Sequence, residues 1–338
     1  MLISGRTRCS LAAALIGSAA CAPAAKPGIA QSSGTQVTFF AIGDPQINIP
    51  RWGTAGTDST IVLMTGLPGE PFPFGGAVSP PVGVIVAGDL VDDVRSAADW
   101  EYYKTLFDPE GRARLRIPAF EGLGNHNVDV RGQPPGTFNP QQQEFIERNR
   151  RRPGTFSFDE QGYHYAWEWG GVRFIQLNLF PGTQPRPVYD APAEGNDPKG
   201  SLAFLRRVLE DEVGDNGQPI IATWHYGLRG WGLEKWWLPE DLDSLAAVLK
   251  GHNVLLLLHG HEHRYERYQW HGYDVVMAPS PQIDRDPERP QTASRPKGFL
   301  VFRITRDELQ LAHRTAEGWQ ETWSKRIQRP AGAGRSTP

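Results

Sequence analysis

Three of the nine histidines in this 338-residue chain stand in one run, His259, His261 and His263, alternating with Gly260 and Glu262. In extended backbone, side chains two apart share a side, so these imidazoles can face one point while Gly260 lets the chain close in. Imidazole is the commonest neutral metal ligand, and a pair at this spacing can grip one or two ions. Four other stretches end in side chains of the same chemistry: Asp44 with Gln46, Asp89, Asn125 with His126, and His225. Any one of them could be a capped turn. Five together point to a metal site assembled from loops.

Each stretch follows an apolar run that predicts a buried strand: 36–44, 82–93, 117–127, 219–227 and Val254–Leu258. Residues at the carboxyl ends of strands in one α/β sheet share a crevice, which is where such an architecture places its chemistry. Helical spacing marks 97–107, 141–152, 239–250 and a helix capped by Ser201 with Leu202, Leu205, Val208 and Leu209 on one face. Residues 163–179 read as a hairpin around Gly170-Gly171, and 273–280, 298–305 and 308–315 as terminal strands. The Gly-, Pro- and Thr-rich stretch 51–80 is expected to be a lid-like excursion with a short helix at 61–67. The pattern predicts one α/β domain with a mixed, helix-flanked sheet over 36–326, and a disordered tail at 327–338.

Hydrophobic content of 39% and charged content of 22% are those of a soluble globular protein. The balance of 35 basic to 38 acidic residues gives −3, and without the three cations Arg6, Arg8 and Lys26 it is 32 to 38. That balance argues against nucleic acid as the main partner. Residues 1–30 have the form of an export leader, with Arg6 and Arg8 before an apolar run from Leu11 to Ala20 that is too short to span a membrane. Ser18-Ala19-Ala20-Cys21 resembles a lipoprotein cleavage site, which would make Cys21 a lipid-bearing membrane attachment. Ordinary cleavage near Ala20, Ala24 or Ala30 would give a periplasmic or secreted protein instead. Cys9 and Cys21 are the two cysteines, so residues beyond the leader cannot form an internal disulfide.

Taken in order, Asp44-Pro45-Gln46, Gly88-Asp89-Leu90-Val91-Asp92, Gly124-Asn125-His126-Asn127, His225 and Gly260-His261-Glu262-His263 resemble the five-part signature of the calcineurin-like metallophosphoesterases. The resemblance covers roughly residues 37 to 315. It implies a four-layer αββα sandwich of two mixed sheets with helices outside. It also implies two divalent or trivalent metal ions, Mn, Fe or Zn. By position, Asp44, Gln46 and His263 would hold the first ion, Asn125, His225 and His261 the second, and Asp89 would bridge them. The implied reaction is attack of a metal-bridging hydroxide on a phosphate ester, with His126 as proton donor or charge stabiliser beside the leaving oxygen. A small-molecule ester or a lipid head group would be the substrate, as a phosphodiester or a phosphomonoester.

Two departures bear on that expectation. Gln46 puts a neutral amide oxygen where the family commonly has histidine, which should weaken the first ion or favour a harder one. Asn127 replaces the acid that usually orients the preceding histidine, so His126 would lack a carboxylate partner. Both departures keep open a metal-binding module without turnover. Tyr265-Glu266-Arg267 resembles purple acid phosphatases, but those have tyrosine where Asp92 stands, so Glu266 and Arg267 are expected to form a structural ion pair. His259 is expected behind the ligands. Trp224, Trp231, Trp236 and Trp237, with Arg229 and Lys235, surround His225 in sequence. They suit core packing, stacking on a base or sugar, or a lipid interface, the last fitting a phospholipase C-like phosphodiesterase.

Overall fold

The computed structural model describes residues 36–128, 139–185, 196–230, 233, 236–283 and 296–329. The leader, Cys21, Trp231, Lys235 and the tail from 330 lie outside the described residues.

The first sheet is built on β1 (Val37–Ile42), fully buried along its length. It pairs in parallel with β2 (Val84–Val86), which pairs in parallel with β3 (Ala119–Glu121). On its other side, β11 (Phe299–Ile304), β12 (Glu308–Thr315) and β13 (Gly318–Arg326) continue antiparallel, giving the order β13-β12-β11-β1-β2-β3. The second sheet has the order β4-β5-β6-β7-β8-β10-β9, from β4 (Ser157–Phe158), β5 (Tyr165–Trp169), β6 (Val172–Gln176), β7 (Ile220–Thr223), β8 (Val254–His259), β9 (Glu266–Trp270) and β10 (Tyr273–Met277). Its central strands β6, β7, β8 and β10 are parallel.

Alternation along β1 explains the layering. Phe39 and Ala41 join the cluster between the sheets, while Phe40 and Ile42 join the cluster beneath the helices. Across the sandwich, Phe39 meets Phe174 edge-on at 5.2 Å and Phe120 stacks on Trp167 at 4.5 Å. The outer layers hold α1 (Ile49–Trp52), α2 (Ala55–Gly66), α3 (Ala97–Leu106), α4 (Asn125–Val128), α5 (Pro140–Arg150), α6 (Ser201–Arg207) and α7 (Pro239–Leu249). The result is the expected sandwich of two mixed sheets with helices outside. No helix among the described residues is long and apolar enough to cross a membrane.

Several local expectations change. Residues 51–80 are pinned to the body. Thr57 donates its N–H to Gln282 at 2.8 Å, and buried Phe72 lies edge-on to Trp319 at 5.6 Å with the Arg303 guanidinium 4.4 Å over its ring. The helix expected at 61–67 begins at Ala55, because packing of Thr57, Thr60, Ile61 and Met64 overrides the weak helix propensity of its Gly and Thr residues. Ser201 does not cap its helix. The cap is Gly200 at φ 76°, and the Ser201 hydroxyl donates to the Phe180 carbonyl at 2.6 Å. Residues 327–329, placed in the tail, are seated: Ile327 donates its N–H to Asp307 at 2.8 Å and Arg329 donates to the Gly170 carbonyl at 3.0 Å.

Candidate metal centre

β1, β2 and β3, with β7 and β8 of the second sheet, bring all five stretches to one end of the sandwich, as the recurrence of strand plus polar loop predicts. His225 follows β7 and is fully buried. Its Nδ1–H donates to the Ala87 carbonyl at 2.8 Å, which aims Nε2 at three atoms: Asn125 Oδ1 at 3.1 Å, Asp89 Oδ2 at 3.2 Å and His261 Nδ1 at 3.2 Å. Asp89, His225 and His261 offer ligand atoms within 4.8 Å of one another. With Nδ1 spent on Ala87, His225 in the neutral form that binds a metal would aim its Nε2 lone pair at the Asn125 and Asp89 oxygens, which themselves only accept. Lone pairs converging on one point call for a cation.

Asp44 and His263 form the neighbouring half, His263 Nε2 lying 3.6 Å from Asp44 Oδ1. Gln46, two residues after Asp44, is buried, and its Oε1 has no hydrogen-bond partner. A buried amide oxygen left without a donor is costly unless an ion takes it. The residues present therefore fit bound metal, and the expected pair of ions would divide them. Asp44, Gln46 and His263 would hold one, Asn125, His225 and His261 the other, with Asp89 between.

The backbone is bent to suit. Asp44, Gln46, Asp89, His261 and His263 all have positive φ, from 40° to 80°, five of nine such non-glycine residues among those described. That conformation is uncommon for side chains other than Asn, Asp and His, and it clusters at functional sites. Backbone bonds hold it, Asp44 N–H to Gly88 at 3.2 Å and Gln46 N–H to Asp89 at 2.8 Å. The Asp44 carboxylate accepts the His261 N–H at 2.8 and 3.0 Å. Gly88 has φ 91°, and a Cβ there would lie 2.4 Å from His225 Nδ1.

Burial and charge push the ionisable groups apart. Burial raises the Asp44 carboxyl well above its usual range. Burial opposes ionisation of Asp89 too, but the adjacent His225 and His126 outweigh it and hold that carboxyl well below the ordinary value. The reverse holds at His225, where Asp89 overcomes desolvation and lifts the ring to about 9. Burial and the neighbouring His225 keep His261 well below 6.5, and burial takes His259 to about 3. In the metal-free chain Asp89 is thus an anion paired to an imidazolium.

His126 stands beside this group at the start of α4, its N–H donating to Asp89 Oδ1 at 2.9 Å and its ring partly exposed. Asn127 does not orient it. The Asn127 Oδ1 accepts the N–H groups of Leu90 and Gly124 at 3.0 and 3.1 Å, tying two ligand loops together. The orienting groups come from Asp92, whose carbonyl lies 2.7 Å and whose carboxylate lies 3.4 Å from His126 Nδ1. Asn48 and Arg51 in turn hold that carboxylate at 2.6 and 3.5 Å. His126 therefore has the carboxylate that the sequence pattern at 127 denied it. The signal was the second acid of Gly88-Asp89-Leu90-Val91-Asp92. Ser280, which donates to the Asp44 carbonyl at 2.7 Å, has no sequence signal.

Glu266 and Arg267 are not a pair. Successive strand residues face opposite sides, so Glu266 meets Arg229 and Arg264 while the Arg267 guanidinium lies 5.6 Å over Trp323. His259 is behind the ligands, bonded to Gly260 and Tyr268. Among the tryptophans, Trp224 and Trp237 are buried and donate to the Tyr226 and Gly227 carbonyls, which is core packing. Trp236 stacks on Tyr226 at 4.9 Å and meets the His261 ring edge-on at 5.4 Å.

A family model described as calcineurin-like phosphoesterase matches residues 37–265. No curated protein matches the sequence. Among solved structures, a dimetal phosphatase from Danio rerio is similar with a TM-score of 0.55 and 14% identity, over 86% of this chain and 99% of that one. A structure described as GAP50, the anchor in the inner membrane complex of Plasmodium, is similar with a TM-score of 0.56 and 15% identity, over 88% and 90%. One described as PhoD gives 0.52 and 12%, over 90% and 74%. At these identities the structural likeness speaks for the fold. The family match runs from the first residue of β1 to just past His263 and so contains every candidate ligand: this chain belongs to the calcineurin-like phosphoesterase family and is a phosphoester hydrolase.

Proposed function

We propose that this metal-dependent phosphoesterase uses two ions and acts on phosphodiesters in preference to phosphomonoesters. The observation that carries the substrate class is the state of the cations around the centre. Arg51 is paired with Asp92 at 3.5 Å, Arg264 with Glu262 at 2.7 Å and with Glu266 at 2.8 Å, and Arg229 with Glu266. These three arginines, which pair with Asp92 or follow His225 and His263 closely in the chain, are each engaged by a carboxylate. A singly charged diester asks less of them than a doubly charged monoester does.

Bound in the two half-sites, the ions would supply positive charge to the phosphoryl oxygens and acidify a water near neutral pH. Asp89 keeps its negative charge between the two ligand sets. His126, oriented by Asp92 and open to solvent on its other side, is placed to hold or deliver a proton at its Nε2 toward the leaving oxygen.

The leader supports a further reading, that the protein is exported and acts outside the cytoplasm, with Cys21 as a candidate lipid anchor. Cell fractionation of the full chain and of Cys21→Ala tests that point.

For the chemistry, metal-free protein is reloaded with Mn, Fe or Zn and assayed on p-nitrophenyl phosphate and bis-p-nitrophenyl phosphate. Turnover that needs metal and favours the diester is the expected result. A monoester preference overturns the charge argument, and binding of two ions with no turnover on either compound makes this chain a metal-binding module.

A further inference from the structure

His259, the first of the three alternating histidines, spends both ring nitrogens on the protein. The Leu228 N–H donates to the Tyr268 hydroxyl oxygen at 2.9 Å, which leaves the Tyr268 O–H to donate to His259 Nε2 at 2.8 Å. The remaining nitrogen, Nδ1, lies 2.8 Å from the Gly260 carbonyl, which can only accept. The carbonyl end therefore requires the proton on Nδ1, and the Tyr268 hydroxyl, already accepting from Leu228, has its proton available for Nε2 in that tautomer.

The carbonyl that His259 holds belongs to the peptide joining Gly260 to His261. The other polar end of that peptide, the His261 N–H, donates to both Asp44 carboxylate oxygens at 2.8 and 3.0 Å. One peptide plane is thus gripped from two sides, by an imidazole and by a carboxylate from a distant strand. The residue it leads into has φ 80°, a conformation that persists only where the surroundings enforce it. Space around His259 is closed: it is fully buried, and a Cβ on Gly227 would lie 3.1 Å from its Cε1. Outside, the Arg229 guanidinium covers the Tyr268 ring at 4.3 Å.

We propose that His259, locked in its Nδ1–H tautomer by Tyr268, is a positioning residue that sets the Gly260–His261 peptide and through it the metal-facing ring of His261. The proposal rests on the metal reading given above for His261, while its tautomer component stands independently of any ion.

The test has two readouts. In metal-free protein, long-range proton–nitrogen NMR should show His259 as the Nδ1–H tautomer, and Tyr268→Phe should shift it toward a mixture. An Nε2–H tautomer in the parent overturns the proposal. In a Mn2+ titration followed by electron paramagnetic resonance, His259→Phe and Tyr268→Phe should each weaken binding by about 10- to 100-fold, the usual range for lost support of a ligand. His259→Asn, whose amide N–H stands near the Nδ1 position, should recover most of that loss, and His259→Gln should not. Parental affinity in His259→Phe, or equal losses in the Asn and Gln variants, overturns the positioning role. If His259→Phe does not fold, Tyr268→Phe, which removes one hydroxyl, carries the comparison. A parent that binds no Mn2+ sinks the metal reading, and the tautomer measurement then decides the hydrogen-bond arrangement by itself.

Discussion

Replacing Gly124 by alanine adds one methyl group at the point where the loop after β3 passes closest to the proposed bridging carboxylate. Its Cβ would lie 2.1 Å from Asp89 Oδ1 and 2.6 Å from the Asp89 nitrogen. Non-bonded heavy atoms are comfortable near about 3.5 Å, so the carboxylate or the loop must move by more than about 1 Å. Gly124 itself has no left-handed φ, so the contact alone drives the change. Asp89 has little freedom to yield, since its Oδ1 accepts the His126 N–H at 2.9 Å and its Oδ2 lies 3.2 Å from His225 Nε2. Overpacking of this kind costs about 1–3 kcal/mol of stability, and a reacting group displaced by 1 Å costs about 100-fold in rate. Gly122→Ala is the matched control in the same loop. Its Cβ would meet Gln176 Nε2 at 2.3 Å, a side-chain amide rather than a candidate ligand. Both variants should lose stability in denaturant melts. Only Gly124→Ala should also lose bound Mn2+, by elemental analysis, and about 100-fold in kcat on bis-p-nitrophenyl phosphate. Parental metal content and kcat in Gly124→Ala would show that the Asp89 position does not matter, and equal metal loss in both variants would trace the effect to general loosening.

Two further substitutions separate chemistry from scaffold. Asp92→Asn keeps a polar group near His126 but removes its carboxylate, so kcat should fall by about 10- to 100-fold with Mn2+ affinity little changed; a matching fall in affinity would mean Asp92 supports the ligands instead. Arg148→Met should cost about 3–5 kcal/mol in urea unfolding, because it strips a partner from the fully buried Glu121, which Arg148 meets at 2.5 Å and Arg152 at 3.4 Å. A loss below about 1 kcal/mol would mean that Arg152 neutralises Glu121 unaided.

The strands that carry the centre were legible because each is a short apolar run closed by a polar residue. Val254–Leu258 could only be a buried strand, and the ligand types beyond it named their own chemistry. Three edge strands, the two-residue β4 and the longer β9 and β13, were not seen. In β9 and β13 the apolar residues are tryptophan and tyrosine spaced among charges, so what makes them strands is pairing with β10 and β12. The stretch 51–80 looked loose because its composition is, yet Phe72 and Thr57 find partners more than 200 residues away in Trp319 and Gln282. The role of Asp92 was hidden for a different reason. Residue 127 is the chain neighbour of His126, but α4 turns the Asn127 side chain toward Leu90 and Gly124, and the carboxylate arrives from the loop after β2. Sequence adjacency says nothing about which loop reaches a ring from the side.

The left-handed backbone at Asp44, Gln46, Asp89, His261 and His263 bears on any attempt to transplant this centre. Copying the side chains onto another scaffold would fail wherever the receiving loops run in ordinary β or α conformation, because each side chain would leave its loop in a different direction. The portable unit is the set of turns, including Gly88 and Gly260 and the peptide contacts that hold them. For the same reason, libraries made at these five positions should retain folded members mainly with asparagine, aspartate, glycine or histidine, and should discard β-branched residues whether or not those residues could bind an ion.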